Sequence, residues 1–145
     1  MLINMKDRVD EEAIQELLGY AIGLGVDKLQ STTETYRNSH VLELYGCVSE
    51  DHLVGIIGCA EGHDKQIIIT HLAVNPDSRG AGFGRGMILE LIELKEPSSL
   101  HVETDEEAVD FYRSIGFVIE SLGEKYPGVE RFSCKYEVDK DTDEE

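Results

Sequence analysis

The chain has 145 residues, of which 41% are hydrophobic and 30% charged, and its formal net charge is -17 at pH 7. This size and composition predict one soluble domain that folds without metal or disulfide staples, and no apolar run approaches the roughly 18 residues that cross a bilayer. Because 30 acidic side chains outnumber 13 basic ones, the surface repels nucleic-acid phosphates, so we expect no nucleic-acid partner and no membrane partner.

The ends of the chain and its cysteines carry no sign of export or metal binding. Residues 1–10 lack an apolar core after a basic region, which argues against a secretory signal and predicts a cytoplasmic protein. Cys47, Cys59 and Cys134 are widely spaced, without a CxxC pair, so we expect reduced thiols and no metal. The acidic residues 139–145 are predicted to form a flexible tail after a single domain at 1–138.

The first half of the chain predicts two helices and four strands. Apolar residues three and four apart after Asp10 form a helical stripe that Asp10 caps and Gly23 or Gly25 ends. A run that is apolar on both faces and stops at Asn75 and Pro76 predicts a central strand. In chain order the predicted elements are a short strand at 2–5, the helix after Asp10, a second helix at 28–36, two hairpin-linked strands at 40–48 and 53–60, and the central strand at 66–74.

The second half predicts two further helices among three strands. We expect a helix at 82–94, a strand at 99–104, a helix at 106–115 that closes at Gly116, and strands at 117–121 and 129–138. The resulting order is β-α-α-β-β-β-α-β-α-β-β. Such an alternation predicts an α/β fold with a mixed sheet.

A glycine-rich turn joins the central strand to the following helix. The stretch LAVNPDSRGAGFGRGM holds glycines at 80, 82, 84 and 86 and arginines at 79 and 85. A helix start presents unpaired N–H groups and a partial positive charge, and glycines let a diphosphate approach those donors closely. Arg79 and Arg85 add charge-assisted donors. The turn therefore predicts an anion site, although a tight strand-to-helix connection alone would also use glycines.

Two other phosphate-binding loops are excluded by the spacing. The dinucleotide fingerprint GxGxxG fails because Arg85 or Met87 stands where the last glycine belongs. The P-loop fails because no Gly-Lys-Ser or Gly-Lys-Thr closes the turn.

Two segments resemble the GCN5-related N-acetyltransferases, the GNAT family. Arg79-x-x-Gly82-x-Gly84 resembles that family's acetyl-CoA motif, Arg/Gln-x-x-Gly-x-Gly/Ala. About 30 residues on, the segment AVDFYRSIGF (108–117) resembles its second signature, Ala-x-x-Phe-Tyr-x-x-x-Gly-Phe. The resemblance implies the acyl-CoA N-acyltransferase fold, a mixed, mostly antiparallel central sheet flanked by helices. It also implies transfer of the acetyl group of acetyl-CoA to a primary amine by direct attack in a ternary complex.

The resemblance assigns the cofactor to the end of the central strand and the glycine turn. Backbone groups of the strand end would hold the pantetheine, and a main-chain N–H there would polarise the acetyl carbonyl. The implied cofactor-binding residues are Leu72, Ala73, Val74, Arg79, Gly80, Ala81, Gly82, Phe83, Gly84 and Arg85.

Acyl transfer also needs a proton for the departing thiolate and a base for the amine. Tyr112 is our candidate general acid, since a phenol within hydrogen-bond reach helps a thiolate leave; packing beside Phe111 and Phe117 is the alternative. For the base, His71 and Glu103 are candidates beside solvated or core roles, and strand alternation places His71 opposite Thr70. Two further side chains that could face the amine are Glu43 and Tyr45.

The acceptor amine and the assembly are less determined. The acidic balance favours a cationic small molecule or a basic peptide, and the terminal strands allow a monomer or a homodimer. Alternatives to the enzyme are an acetyl-CoA-binding regulatory module without turnover and an unrelated phosphate-ligand binding domain.

Overall fold

A computed structural model describes residues 2–22 and 26–138. The described residues form seven strands and four α-helices. In chain order they are β1 (Leu2–Asn4), α1 (Glu12–Ile22), α2 (Val26–Asn38), β2 (Leu42–Ser49), β3 (His52–Glu61), β4 (Gln66–Val74), α3 (Phe83–Lys95), β5 (Ser99–Asp105), α4 (Val109–Ile115), β6 (Val118–Tyr126) and β7 (Val129–Glu137). Short 3-10 turns lie at Lys6–Arg8, His63–Lys65 and Pro76–Ser78.

The strands form one mixed, mostly antiparallel sheet in the order β1-β2-β3-β4-β5-β7-β6. β4 pairs with β5 in parallel, whereas β1 with β2, β2 with β3, β5 with β7 and β6 with β7 are antiparallel. The predicted fold class and element order are therefore confirmed, and the run at 66–74 is the central strand with the predicted bounds.

The three largest differences in length between predicted and observed elements are at α2, α4 and β6. α2 spans Val26–Asn38 instead of 28–36, and hydroxyls along it bond helix carbonyls, as Thr33 Oγ1 does to Leu29 O at 2.8 Å. α4 begins at Val109 instead of 106 because the Asp105 carboxylate accepts the N–H groups of residues 107 and 108 and holds a turn. β6 continues past 121, where a register shift at Gly123, with φ of 81°, keeps it paired with β7.

The chain divides into two compact units, Met1–Glu61 with Ile69–Lys95, and Gly62–Ile68 with Glu96–Glu145. In the first unit, a core cluster that includes Leu17, Leu18, Tyr36 and Leu44 is built from α1, α2, β2, β3 and β4, with Met5 and Val9 before α1. α3 buries Met87, Ile88 and Leu91. In the second unit, Leu100, Val102 and Cys134 of β5 and β7 are buried. All three cysteines are free and buried, as predicted for thiols.

Some predictions fall outside the described residues. The glycine stop of α1 at Gly23 or Gly25 and the tail at 139–145 are among them. The single domain at 1–138 stays a prediction. No helix among the described residues is long and apolar enough to cross a membrane.

Candidate active site

The turn after β4 is shaped by a cap and two glycines. Asn75 Oδ1 accepts the N–H of Asp77 at 3.0 Å, and a 3-10 turn starts at Pro76. Gly80 and Gly82 then have φ of 85° and 86°, a region that side chains with a Cβ enter at a cost. A Cβ on either glycine would meet nothing within 4 Å. Residues 2–22 and 26–138 therefore leave open the space where these two Cβ atoms would lie.

The start of α3 has the electrostatics of an anion site. The helix runs for 13 residues from Phe83, and its first turn contains no acidic side chain. The N–H of Gly86 bonds Gly82 O at 2.9 Å, so the N–H groups that precede it are the unpaired donors of the helix start. The positive end of the helix dipole adds to them. Open space, free donors and positive potential fit the diphosphate of coenzyme A.

Arg79 is held beside this turn by two contacts. Its Nε donates to Val74 O at 3.0 Å, and its guanidinium carbon lies 5.6 Å from the ring centroid of Tyr20 on α1. Among the described residues, no acceptor engages its terminal nitrogens. The guanidinium is thus oriented at its Nε side and open at its outer edge, the arrangement suited to gripping a phosphate.

The end of β4 contributes backbone groups. The parallel ladder to β5 pairs Gln66 with Ser99 and ends where Ile68 pairs with His101. The predicted pantetheine-binding residues Leu72, Ala73 and Val74 lie beyond that ladder; Ala73 is 7% exposed, and the other two are half-buried. Their side chains are mostly enclosed, so the backbone is what this stretch offers a ligand.

His71 belongs to a hydrogen-bonded trio with Tyr36 and Thr70. The Tyr36 hydroxyl lies 2.6 Å from His71 Nδ1 and 2.5 Å from Thr70 Oγ1. Both side chains reach one hydroxyl, so the prediction that strand alternation sets His71 opposite Thr70 is wrong at this point of β4. Burial lowers the pKa of His71, which keeps its imidazole neutral at pH 7.

Glu43 and Tyr45 lie in a closed polar cluster. Glu43 Oε1 accepts Lys95 Nζ at 2.7 Å and the Tyr45 hydroxyl at 2.7 Å, with Cys59 Sγ at 3.9 Å. Burial opposes ionisation of Glu43, yet the hydrogen bonds from Lys95 and Tyr45 outweigh it and hold its pKa below the usual value. Burial first and Glu43 second raise the pKa of Cys59 to about 12. These groups bind each other, which leaves them poorly suited to act on an amine.

In the second unit, Tyr112 packs its ring and keeps its hydroxyl free. The ring lies edge-on to Phe111 and Phe117, with centroids 5.0 and 5.3 Å away, and the residue is 5% exposed. No hydrogen bond to its hydroxyl is present in residues 2–22 and 26–138, and no buried side-chain oxygen there lacks a partner. The hydroxyl therefore reaches the surface. Burial, followed by Cys134 and Asp105, raises the pKa of Tyr112, so it stays protonated.

Glu103, the other candidate base, is ion-paired. Its Oε2 lies 3.2 Å from Arg131 Nε, on the neighbouring strand β7, and its side chain is 50% exposed. Glu103 is thus explained by the surface ion pair.

A profile of the acetyltransferase (GNAT) domain matches residues 38–119, more than half of the chain. The chain belongs to the GNAT acetyltransferase family. An uncharacterised N-acetyltransferase in the lysA 3′ region of Bacillus methanolicus is 28% identical over 94 residues, which are 65% of this chain and 78% of that protein. As a GNAT protein the chain is an acyltransferase whose cofactor is acetyl-CoA.

Solved GNAT structures share the fold at low sequence identity. A protein assigned to the family from Desulfovibrio desulfuricans has a TM-score of 0.81 at 15% identity, covering 96% of this chain and 99% of that one. A Bacillus subtilis acetyltransferase in complex with CoA has a TM-score of 0.69 at 17% identity, covering 88% and 93%. A chimeric spermidine N-acetyltransferase from Vibrio cholerae and hSSAT has a TM-score of 0.73 at 15% identity, covering 94% of this chain and 96% of that one.

Sequence reasoning missed Tyr36 and Tyr20. Tyr36 stands 35 residues before His71, and Tyr20 lies 59 before Arg79. No local pattern carries contacts of that range. The one available signal for Tyr36 was Gly58 in an otherwise apolar strand, since a strand glycine often marks a close approach.

Proposed function

We propose that the chain transfers the acetyl group of acetyl-CoA to a primary amine by direct attack in a ternary complex. The observation that carries this proposal is the start of α3, where Gly80 and Gly82 take positive φ beside empty space and Arg79 presents free terminal nitrogens. The cofactor-binding residues we assign are backbone groups of 72–74 and residues 79–85. The GNAT match removes the reading of an unrelated phosphate-binding domain.

Tyr112 is the group that we assign to the departing thiolate. When bound, acetyl-CoA supplies a thioester whose sulfur leaves as the amine attacks. A neutral phenol donates a hydrogen bond to sulfur as charge develops there, and a free, protonated hydroxyl on a packed ring supports that role. Its ring contacts fix the hydroxyl's direction, so little ordering remains to be done during turnover.

A positively charged amine is the acceptor class that we favour. The net charge of -17 attracts cations to the protein. A spermidine N-acetyltransferase chimera shares the fold, which is consistent with a polyamine but does not select one. A basic peptide has the same charge and is the second member of this class.

A thiol-release assay with acetyl-CoA tests the proposal. The amine panel holds a polyamine, an aminoglycoside, a lysine peptide and an acidic amino acid. We expect release of coenzyme A that depends on a cationic amine. Binding of acetyl-CoA without release for any amine would indicate the regulatory module, and preference for the acidic amino acid would overturn the charge argument.

Replacing Tyr112 with Phe tests the thiolate assignment. We expect kcat to fall about 100-fold with acetyl-CoA affinity almost unchanged, because the lost hydroxyl acts in the transition state. Tyr136→Phe is the control, since Tyr136 lies in the same aromatic cluster against Phe117. Stopped-flow or steady-state kinetics of both variants give the comparison, and wild-type turnover in Tyr112→Phe would reject the role.

A further inference from the structure

The hydroxyl of the buried Tyr36 lies between two half-buried side chains, Thr70 and His71, in the first unit. Tyr36 is 0% exposed, and its oxygen contacts Thr70 Oγ1 at 2.5 Å and His71 Nδ1 at 2.6 Å. The Tyr36 and His71 rings are tilted at 56° with centroids 5.5 Å apart. Burial raises the pKa of Tyr36 to about 12. The phenol is therefore neutral, and it can donate its single hydrogen in only one of these two hydrogen bonds.

A glycine in strand β3 leaves space for this hydroxyl. A Cβ at Gly58 of β3 would lie 2.0 Å from the Tyr36 oxygen and 2.8 Å from Thr70 Oγ1. Only glycine leaves space for the trio at this position. The placement of the hydroxyl is thus built into the packing of the sheet.

Counting hydrogens selects one arrangement of the trio. Thr70 and Tyr36 each bring one O–H, and a neutral imidazole brings one N–H. If Thr70 donates to Tyr36 and Tyr36 donates to His71 Nδ1, both hydroxyl hydrogens are used. If His71 Nδ1 instead donates to Tyr36 and Tyr36 to Thr70, the Thr70 hydrogen has no acceptor in the described chain, and the half-buried Thr70 hydroxyl must donate it to solvent. The first arrangement keeps both hydroxyl hydrogens in protein hydrogen bonds, and we adopt it.

The selected arrangement fixes the outward nitrogen of His71. With Nδ1 accepting from Tyr36, the ring hydrogen resides on Nε2. No partner engages Nε2 in residues 2–22 and 26–138, and no buried nitrogen there lacks a partner, so Nε2 reaches the surface. It presents an N–H donor and has no lone pair with which to accept a proton from an amine.

We propose that Tyr36 is a positioning residue that holds His71 with its hydrogen on Nε2, so that His71 donates a hydrogen bond to an oxygen of a bound substrate instead of serving as the base. The inference rests on the proposed function for the identity of that substrate. The oxygen belongs either to acetyl-CoA or to the amine acceptor. The chemistry is the same, and kinetics separate the two sources.

The tautomer is measured by NMR. Long-range proton–nitrogen correlations on ¹⁵N-histidine-labelled protein at pH 7, with the His71 ring assigned by its loss in His71→Gln, report which nitrogen is protonated. We expect hydrogen on Nε2, and in Tyr36→Phe a rise in the form with hydrogen on Nδ1. A wild-type His71 protonated on Nδ1 would overturn the proposal, as would a tautomer that Tyr36→Phe leaves unchanged.

The role is measured with two substitutions at His71. Glutamine places an N–H₂ near the position of Nε2 but cannot take a proton, whereas leucine offers neither. We expect His71→Gln to stay within about threefold of wild-type kcat/KM and His71→Leu to lose about tenfold, the size of one neutral hydrogen bond. A base would make the two variants equally poor, and that result, or a Leu variant as active as wild type, contradicts the proposal.

Calorimetry and the KM for the amine identify which substrate carries the oxygen that His71 contacts. Together with the tautomer measurement, they also distinguish failure of the proposed function from failure of the role of Tyr36. A weaker calorimetric affinity of His71→Leu for acetyl-CoA assigns the oxygen to the cofactor, and a raised KM for the amine alone assigns it to the acceptor. If the wild-type chain acetylates no amine, the proposed function fails. The tautomer measurement still decides the role of Tyr36.

Discussion

Two groups of glycines in the first unit have opposite surroundings. Gly46, Gly55 and Gly58 lie in β2 and β3 against other atoms of the protein, and a Cβ there would come within 3 Å of Met5, Met87 or Tyr36. Gly80 and Gly82 have positive φ and nothing within 4 Å. The strand glycines therefore make room for the protein's own side chains, whereas Gly80 and Gly82 leave open space beside the start of α3.

The largest effect is expected at the first group. Gly58→Ala places a methyl 2.0 Å from the Tyr36 oxygen, which displaces a buried ring and breaks two hydrogen bonds. We expect the free energy of unfolding to fall by about 3 kcal/mol, from overpacking and lost bonds. Denaturant titration measures it. The double variant with Tyr36→Phe removes the clashing oxygen and recovers part of the loss; an additive double variant would refute the clash.

Arg79→Ala tests the turn of Gly80 and Gly82 through the arginine that precedes it. Loss of a charge-assisted phosphate contact weakens acetyl-CoA binding by about 1–3 kcal/mol in calorimetry, with unfolding free energy almost unchanged because the side chain is exposed. Arg37→Ala, which removes the same charge from a pair with Asp10, is the control and keeps wild-type affinity. Unchanged affinity in Arg79→Ala would remove this residue from the site.

The sequence predicted the surroundings of the turn glycines, Gly80 and Gly82, better than those of the strand glycines. The turn is a local pattern, in which a strand, proline, glycines and a helix start follow one another, so both its position and the bounds of β4 were predicted. Gly58 makes room for Tyr36 of α2, a helix whose Ser and Thr residues have low helix propensity. Long-range contacts of this kind have no sequence period.

The same limit applies to the candidate bases. Alternation along β4 set Thr70 and His71 on opposite faces, and Glu103 had no visible partner in the sequence. The structure brings Thr70 and His71 to one hydroxyl and pairs Glu103 with Arg131. Side chains from other helices and strands decide whether His71 or Glu103 is free to act as a base, and the sequence alone does not identify those side chains.

Gly82→Ala, compared with a control glycine, separates the need for positive φ in a turn from the need for phosphate access. Forcing φ of 86° on alanine costs about 1 kcal/mol of stability, and relaxation of the turn rotates the N–H groups away from a phosphate. We expect acetyl-CoA affinity to fall about tenfold. Gly128→Ala, in the β6–β7 hairpin with φ of 77° and open space, has the same stability cost and leaves affinity intact. Equal affinities for both variants would mean that the turn is only a connection.

The smallest effect is expected at Gly86, which has open space and no positive φ. Alanine there raises the unfolding free energy by about 0.5–1 kcal/mol, since glycine is a poor helix former. Gly19→Ala in α1, with equally open space, is the matched comparison in thermal denaturation. A gain at Gly19 alone would show that Gly86 serves the fold in a way its open surroundings do not reveal.

A crystal structure with coenzyme A tests the proposed cofactor site most directly. We expect the diphosphate at the N–H groups of residues 83–85, with the terminal nitrogens of Arg79 turned towards it. A diphosphate bound elsewhere on the protein, or a turn unchanged and empty while coenzyme A binds, would contradict the proposed site.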